Sequence, residues 1–305
     1  MLGNGMPNSL FQYLICKLFS MKKVLVTGAT GFIGNYVIED LLERDCEIIA
    51  TSPRHDKAFS KKWFDNVRYV PFNLEEFNEN VNYYNYFFQP DLLIHLAWEG
   101  LPNYKERFHV DLNFPRHYKF LSNLIRFGLK DLTVTGTCLE YGMQEGKLSE
   151  ELKPVPTNSY SIAKNLLREK IEMLNKEFNF SFKWVRLFYT YGKGQNSNSI
   201  LSQLERALEN GDVEFNMSGG EQLRDYLPVE TLARYIVEVA LQKKVTGIIN
   251  CCSGHPISVK ELVRTYLSNH NAEIKLNLGY YPYTDYEPMS FWGDNTKLKS
   301  ILKNE

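Results

Sequence analysis

The chain is poor in cysteine. Its five (Cys16, Cys46, Cys138, Cys251, Cys252) are odd in number, and none is in CxxC spacing. That argues against a disulfide scaffold or structural zinc site and suits a reducing compartment. Net charge is lacking too: 35 Lys and Arg stand against 36 Asp and Glu, a balance of −1. No global field exists to draw in nucleic acid or an anionic membrane. Long apolar runs are missing as well. The most apolar early stretch, 10–19, is interrupted by Gln12 and Lys17 and falls short of the ~18 residues a span needs. A cytoplasmic protein without membrane or nucleic-acid partners is the expectation. The six histidines form no HExxH pair, and GxxxxGK[ST] does not occur. Metal-assisted hydrolysis and P-loop chemistry are therefore without support, and no metal is expected.

What is present is an ordinary globular composition, 44% hydrophobic and 23% charged over 305 residues. It is enough for a large core and for one α/β domain with an added lobe. Residues 1–20 differ in character from the rest of the chain and read as a leader or non-native extension, with Met21 as the start. Short β-branched runs at 23–27, 47–51, 67–72, 91–97, 132–135 and 182–187 read as strands. They alternate with helical patterns at 32–43, 113–127 and 159–178. Strand-helix repetition of this kind implies a doubly wound parallel sheet, because parallel neighbours need crossover connections. The expected division is a dinucleotide-binding domain over 21–187, with 228–250 packing back on it. A smaller substrate-binding lobe would comprise 188–227 and 251–305. Beyond residue 188 two helices are predicted, 200–209 and 228–241.

Thr27-Gly28-Ala29-Thr30-Gly31-Phe32-Ile33-Gly34 follows a strand and opens a helix. In that context bare backbone can approach a pyrophosphate at a helix N-terminus, so a dinucleotide site is predicted. The second strand ends Ala50-Thr51-Ser52-Pro53-Arg54, with no carboxylate to hold a ribose diol. Hydroxyls and a guanidinium suit a 2′-phosphate, favouring NADP over NAD; the alternative is that Arg54 is a solvated loop charge. Tyr160 and Lys164 stand at i and i+4 on one helix face. There the ammonium would lower the phenol's pKa and let it move a proton near neutrality. Thr135-Gly136-Thr137-Cys138 ends another strand, where parallel sheets place their chemistry.

These motifs resemble the extended short-chain dehydrogenase/reductases, in their nucleotide-sugar epimerase, dehydratase and reductase branch. The resemblance runs over 21–305. It includes Leu93-Ile94-His95-Leu96-Ala97, the segments 186–192 and 223–229, and Gly247 to Gly254. It implies a Rossmann-like doubly wound sheet with a smaller C-terminal lobe. Tyr160 would be the acid/base, Lys164 would hold the nicotinamide ribose, and Thr137 would bond the reacting oxygen. Gly28, Thr30, Gly31, Phe32, Ile33, Gly34, Ser52, Arg54, Leu96 and Ala97 would line the cofactor. Asn73-Leu74 stands in place of the usual Asp-Leu beside the adenine. Arg224 would grip the substrate pyrophosphate, an ion pair with Asp225 being the alternative. Tyr189, where many relatives carry Asn, would stack on or hydrogen-bond the hexose, core packing being the alternative, and Trp98 after the fourth strand would border the sugar, a plain loop being the alternative.

The departures narrow the chemistry. Cys138-Leu139 follow Thr137 where the 4,6-dehydratases carry Asp-Glu, and no cysteine stands two before Tyr141, where the fucose-type epimerase/reductases keep theirs. What remains is reduction of a 4-ketosugar or 4-epimerisation. The NADP-favouring segment selects NADPH-dependent reduction of a nucleotide-activated 4-keto-6-deoxyhexose, with dTDP ahead of CDP and GDP. NAD, 4-epimerisation and a non-catalytic NADP-binding sensor are the alternatives. A homodimer through helices 113–127 and 159–178 is the family expectation.

Overall fold

Strands without polar alternation must be covered on both faces, and here one parallel sheet receives them. The computed structural model describes residues 21–283, 285 and 287–302; the expected leader, 1–20, lies outside them. Strands follow the order β1 (Lys22–Thr27), β2 (Cys46–Ser52), β3 (Arg68–Pro71), β4 (Leu92–His95), β5 (Asp131–Thr137), β6 (Gly146–Leu148) and β7 (Ser181–Leu187). Then come β8 (Tyr189–Tyr191), β9 (Glu214–Asn216), β10 (Leu223–Pro228), β11 (Gly247–Cys251), β12 (Pro256–Ser258), β13 (Lys275–Asn277) and β14 (Phe291–Gly293).

Seven of them form the central sheet in the order β11-β7-β5-β4-β1-β2-β3. All its pairings are parallel. The chain winds outward from β1 to β3 and then returns to β4 on the other side of β1. The switch point therefore lies between Thr27 and His95, which are in register. Ligands in such sheets sit outside the strand ends at this crevice. β5 runs two residues past its predicted end because Thr137 still pairs with Leu187. β4 stops at His95, which frees Leu96 and Ala97 from the ladder.

Alternation along β1 divides the core. Val24 and Val26 face helices Phe32–Leu42 and Val229–Leu241. Leu25 faces Phe114–Arg126 and Ser159–Phe178. Three small sheets, β12-β10-β8, β13-β9 and β14-β6, take up β6 and every strand beyond Leu187 except β11. Two helices there lie outside the prediction, Val259–Asn269 and Thr296–Leu302. The first packs with Ile200–Glu209 around Leu204, Phe215 and Val263, and its Ser258 cap accepts from the Glu261 N–H, a signature readable in sequence. Among the described residues no helix is long and apolar enough to cross a membrane.

Candidate active site

The β1 crevice opens into one cavity of ≈ 430 Å³ that runs from the glycine loop to the lobe. At its first end backbone does the shaping. Gly28 sits at φ +70°, and a Cβ on it would stand 2.9 Å from the Ala97 nitrogen. A Cβ on Gly34 would stand 2.1 Å from the Gly28 carbonyl oxygen, so both positions require glycine. Gly31 caps helix Phe32–Leu42 without a side chain. First-turn N–H groups are thus left for an anion, and the cradle fits a dinucleotide pyrophosphate. Gly28, Gly31, Phe32, Ile33, Gly34 and Leu96 all line this cavity, whereas Thr30 stands on the loop outside it. A small adjoining pocket joins Gly28, Ser52, Leu74 and Ala97.

Three predicted cofactor contacts have protein partners. The Arg54 guanidinium bonds Asp56 at 2.7 Å in an exposed pair. Asn73 accepts from the Glu75 N–H and caps a short turn. Ser52 Oγ lies 2.9 Å from the Tyr69 hydroxyl.

In the middle of the cavity stand Thr137 and Tyr160. Strand β5 delivers the first and helix Ser159–Phe178 the second. Lys164 is buried one turn on. Its Nζ donates to the Thr135 carbonyl at 2.9 Å and lies 4.1 Å from the Trp98 ring centroid. The expectation of a lowered phenol pKa is not met: burial, then Tyr104, Glu140 and Cys138, push Tyr160 up. The ammonium is spent on a carbonyl and an indole face, and desolvation lowers Lys164 itself to about 7. Cys138 is buried and its thiol pushed well up by desolvation, which makes it inert as a nucleophile.

At the lobe end Tyr189 lines the cavity, its ring near Tyr226 and Phe291. Arg224 lies behind it, 2% exposed, over Phe291 at 4.6 Å. Its partner is Glu287, at 3.1 Å. The expected alternative, Asp225, instead accepts from the Ser253 and Gly254 N–H groups. A larger cavity of ≈ 550 Å³ in the lobe contains none of the predicted site residues.

Two groups escaped prediction. Beneath the crevice Thr27 Oγ1, His95, His117 and Glu99 form a chain with spacings of 2.8, 2.8 and 3.2 Å. Burial lowers both imidazoles. Trp98 stacks on His117 with centroids 4.6 Å apart and meets Tyr160 edge-on. The second group is Glu140 with Trp184 and Arg186. Neither is visible as a motif, since the partners are 18 to 68 residues apart.

The sequence profile of the NAD dependent epimerase/dehydratase family matches residues 24–252. The chain is 30% identical over 276 residues to the dTDP-6-deoxy-L-talose 4-dehydrogenase (NAD(+)) of Aggregatibacter actinomycetemcomitans, covering 88% of this chain and 98% of the relative. It is 25% identical to the dTDP-4-dehydro-6-deoxyglucose reductase of Escherichia coli, with 83% and 82% covered. Among solved structures, the UDP-glucuronic acid 4-epimerase of Bacillus cereus, in complex with UDP-glucuronic acid and NAD, superposes with a TM-score of 0.78. The identity is 21%, with 93% of each chain covered, a likeness of fold.

Proposed function

The chain belongs to the NAD dependent epimerase/dehydratase family, and on that premise we propose that it reduces the C4 keto group of a nucleotide-activated 4-keto-6-deoxyhexose with NADPH, dTDP being the favoured carrier. Modification of a nucleotide sugar at C4 is common to its relatives; the direction, the cofactor and the sugar are the proposal. The observation that carries it is that Thr137 and Tyr160 line one cavity, continuous with the glycine loop.

When bound, the reduced nicotinamide supplies a hydride to the sugar C4. Tyr160 gives its proton to the C4 oxygen as that carbon gains the hydride, and Thr137 orients the same oxygen. Burial keeps the Tyr160 phenol protonated, the form from which reduction starts. Lys164, beside the Thr135 carbonyl, would hold the nicotinamide ribose. Relatives named for a 4-dehydrogenase and for a 4-keto reductase catalyse the two directions of this type of step. In the lobe, Arg224 would take the substrate diphosphate, and Tyr189 and Trp98 would border the hexose. A homodimer in the cytoplasm completes the proposal.

NADPH is supported by Ser52, Arg54 and the absence of a carboxylate at the end of β2. A second reading, NAD, is favoured by the Arg54–Asp56 pair, in which the guanidinium already has an anionic partner. Loss of reduced-nicotinamide absorbance is to be followed with NADPH and NADH, each with dTDP-, CDP- and GDP-4-keto-6-deoxyhexoses. Consumption of NADPH with one sugar is expected. Consumption of NADH alone selects the second reading. Interconversion of an unmodified sugar nucleotide without net redox change overturns the reductase in favour of an epimerase. Dinucleotide binding with no turnover of any of these leaves the sensor.

A further inference from the structure

Glu140 lies on the single 3-10 turn Cys138–Tyr141 that follows β5, fully buried, and does not line the cavity. Its carboxylate accepts from the Thr137 N–H at 2.9 Å, from Trp184 Nε1 at 2.9 Å and from Arg186 Nε at 2.8 Å. Room for it is made by Gly136, on which a Cβ would stand 2.5 Å from Glu140 Oε1 and 2.2 Å from Trp184 Nε1. Three N–H donors, one of them on a guanidinium, thus converge on the carboxylate oxygens. An apolar side chain could fill this volume without desolvating a charge. The charge therefore has work that packing alone does not explain.

We infer that Glu140 is a positioning residue for the proposed chemistry: it anchors the Thr137 main chain two residues along β5 from the Thr135 carbonyl that holds the Lys164 ammonium, and so sets a buried negative charge beside that lysine. The inference rests on the roles proposed above for Thr137 and Lys164. No acid/base part falls to Glu140 itself, which is closed off from the cavity. Desolvation pulls Lys164 down, and Glu140 is the largest group opposing that fall, ahead of Glu99. The other groups facing Lys164 are His95 at the end of β4 and, on the segment leading into and through the first turns of Phe114–Arg126, His109 and His117. Each is lowered chiefly by burial and further by the lysine. Glu140 also opposes ionisation of Tyr160.

Replacing Glu140 by Gln alone strands Arg186, and that variant is expected to fold poorly. The decisive protein is E140Q/R186M, in which an amide oxygen can still accept from Thr137 or Trp184 while both charges are gone. Lysine titration is read from 13Cε chemical shifts in the full chain without cofactor, the Lys164 resonance being assigned by its loss in Lys164→Met. The Lys164 midpoint is expected to fall by about one pH unit, the smaller end of the effect of one neighbouring charge. E140D, which keeps the charge and shortens the reach, should restore the midpoint while lowering turnover. A midpoint in E140Q/R186M within ~0.2 unit of wild type, far below such an effect, overturns the inference. Because this readout needs neither substrate nor turnover, it stands apart from the reductase assay, whose failure would sink the reaction and not the Glu140–Lys164 coupling.

Discussion

The two ends of the cavity are made of different material. At the glycine-loop end the surface is main chain: Gly28 and Gly34 are pinned by carbonyl and amide atoms that any Cβ would strike. At the lobe end it is side chain, Tyr189 and Glu287 on the surface with Phe291 and Arg224 packed behind them, brought from three strands and a loop. A pyrophosphate is the same in every dinucleotide and can be met by backbone. A sugar nucleotide varies, and side chains can vary with it. Changes at the first end should therefore fail for all cofactors alike, and changes at the second should act on the substrate alone.

The sharpest break in that comparison is between the ends, at the shared centre. Tyr160→Phe should lower turnover by roughly 10²–10⁴-fold, the usual worth of a positioned proton donor. Dinucleotide affinity, measured by nicotinamide fluorescence, should be retained; a Phe variant with wild-type turnover would remove Tyr160 from the chemistry. Next in size, Gly34→Ala forces a methyl to within 2.1 Å of the Gly28 oxygen. It should destabilise the chain by about 1–3 kcal/mol in urea unfolding, the range for overpacking, and weaken NADH and NADPH alike. At the other end, Arg224→Met should raise the sugar-nucleotide KM about tenfold, as loss of one charge-assisted contact would. The dinucleotide Kd should stay put, and a matching loss in both constants would blur the division.

The last effect is in pH. His95 and His117 are buried with lowered pKa values, so the unfolded chain takes up protons that the folded chain refuses. Stability should then fall as pH drops below the unfolded value of ~6.5, by at most about 1.4 kcal/mol per pH unit for each imidazole. Thermal unfolding between pH 7 and pH 5.5 should show the slope, and His117→Phe should flatten it. An identical slope in that variant would assign the effect to other groups.

Helix Ser159–Phe178 was legible to the residue, because amphipathic spacing and an Asn158 cap act within one or two turns. So was the loop from Gly28 to Gly34, where strand, turn and helix follow without a break. The tuning of Tyr160 was not. Helical spacing puts Lys164 on its face, but the Thr135 carbonyl and Trp98 that engage the ammonium come from other strands. Glu140 was missed for a like reason: beside Tyr141 it looks like a turn carboxylate, and only the pairing of β5 with β7 brings Trp184 and Arg186 to it.

By itself, then, the amino-acid sequence determined the alternating α/β order, the backbone cradle for a dinucleotide and the nearness of Tyr160 to Lys164. These depend on periodicity and on contacts a few residues apart. Tertiary structure alone decided which charges share a buried space: Glu140 with Arg186, Arg224 with Glu287, and His95 with His117. Such pairs join residues 22 to 63 positions apart. Their charge states depend on desolvation, and burial exists only once the sheet has closed over them.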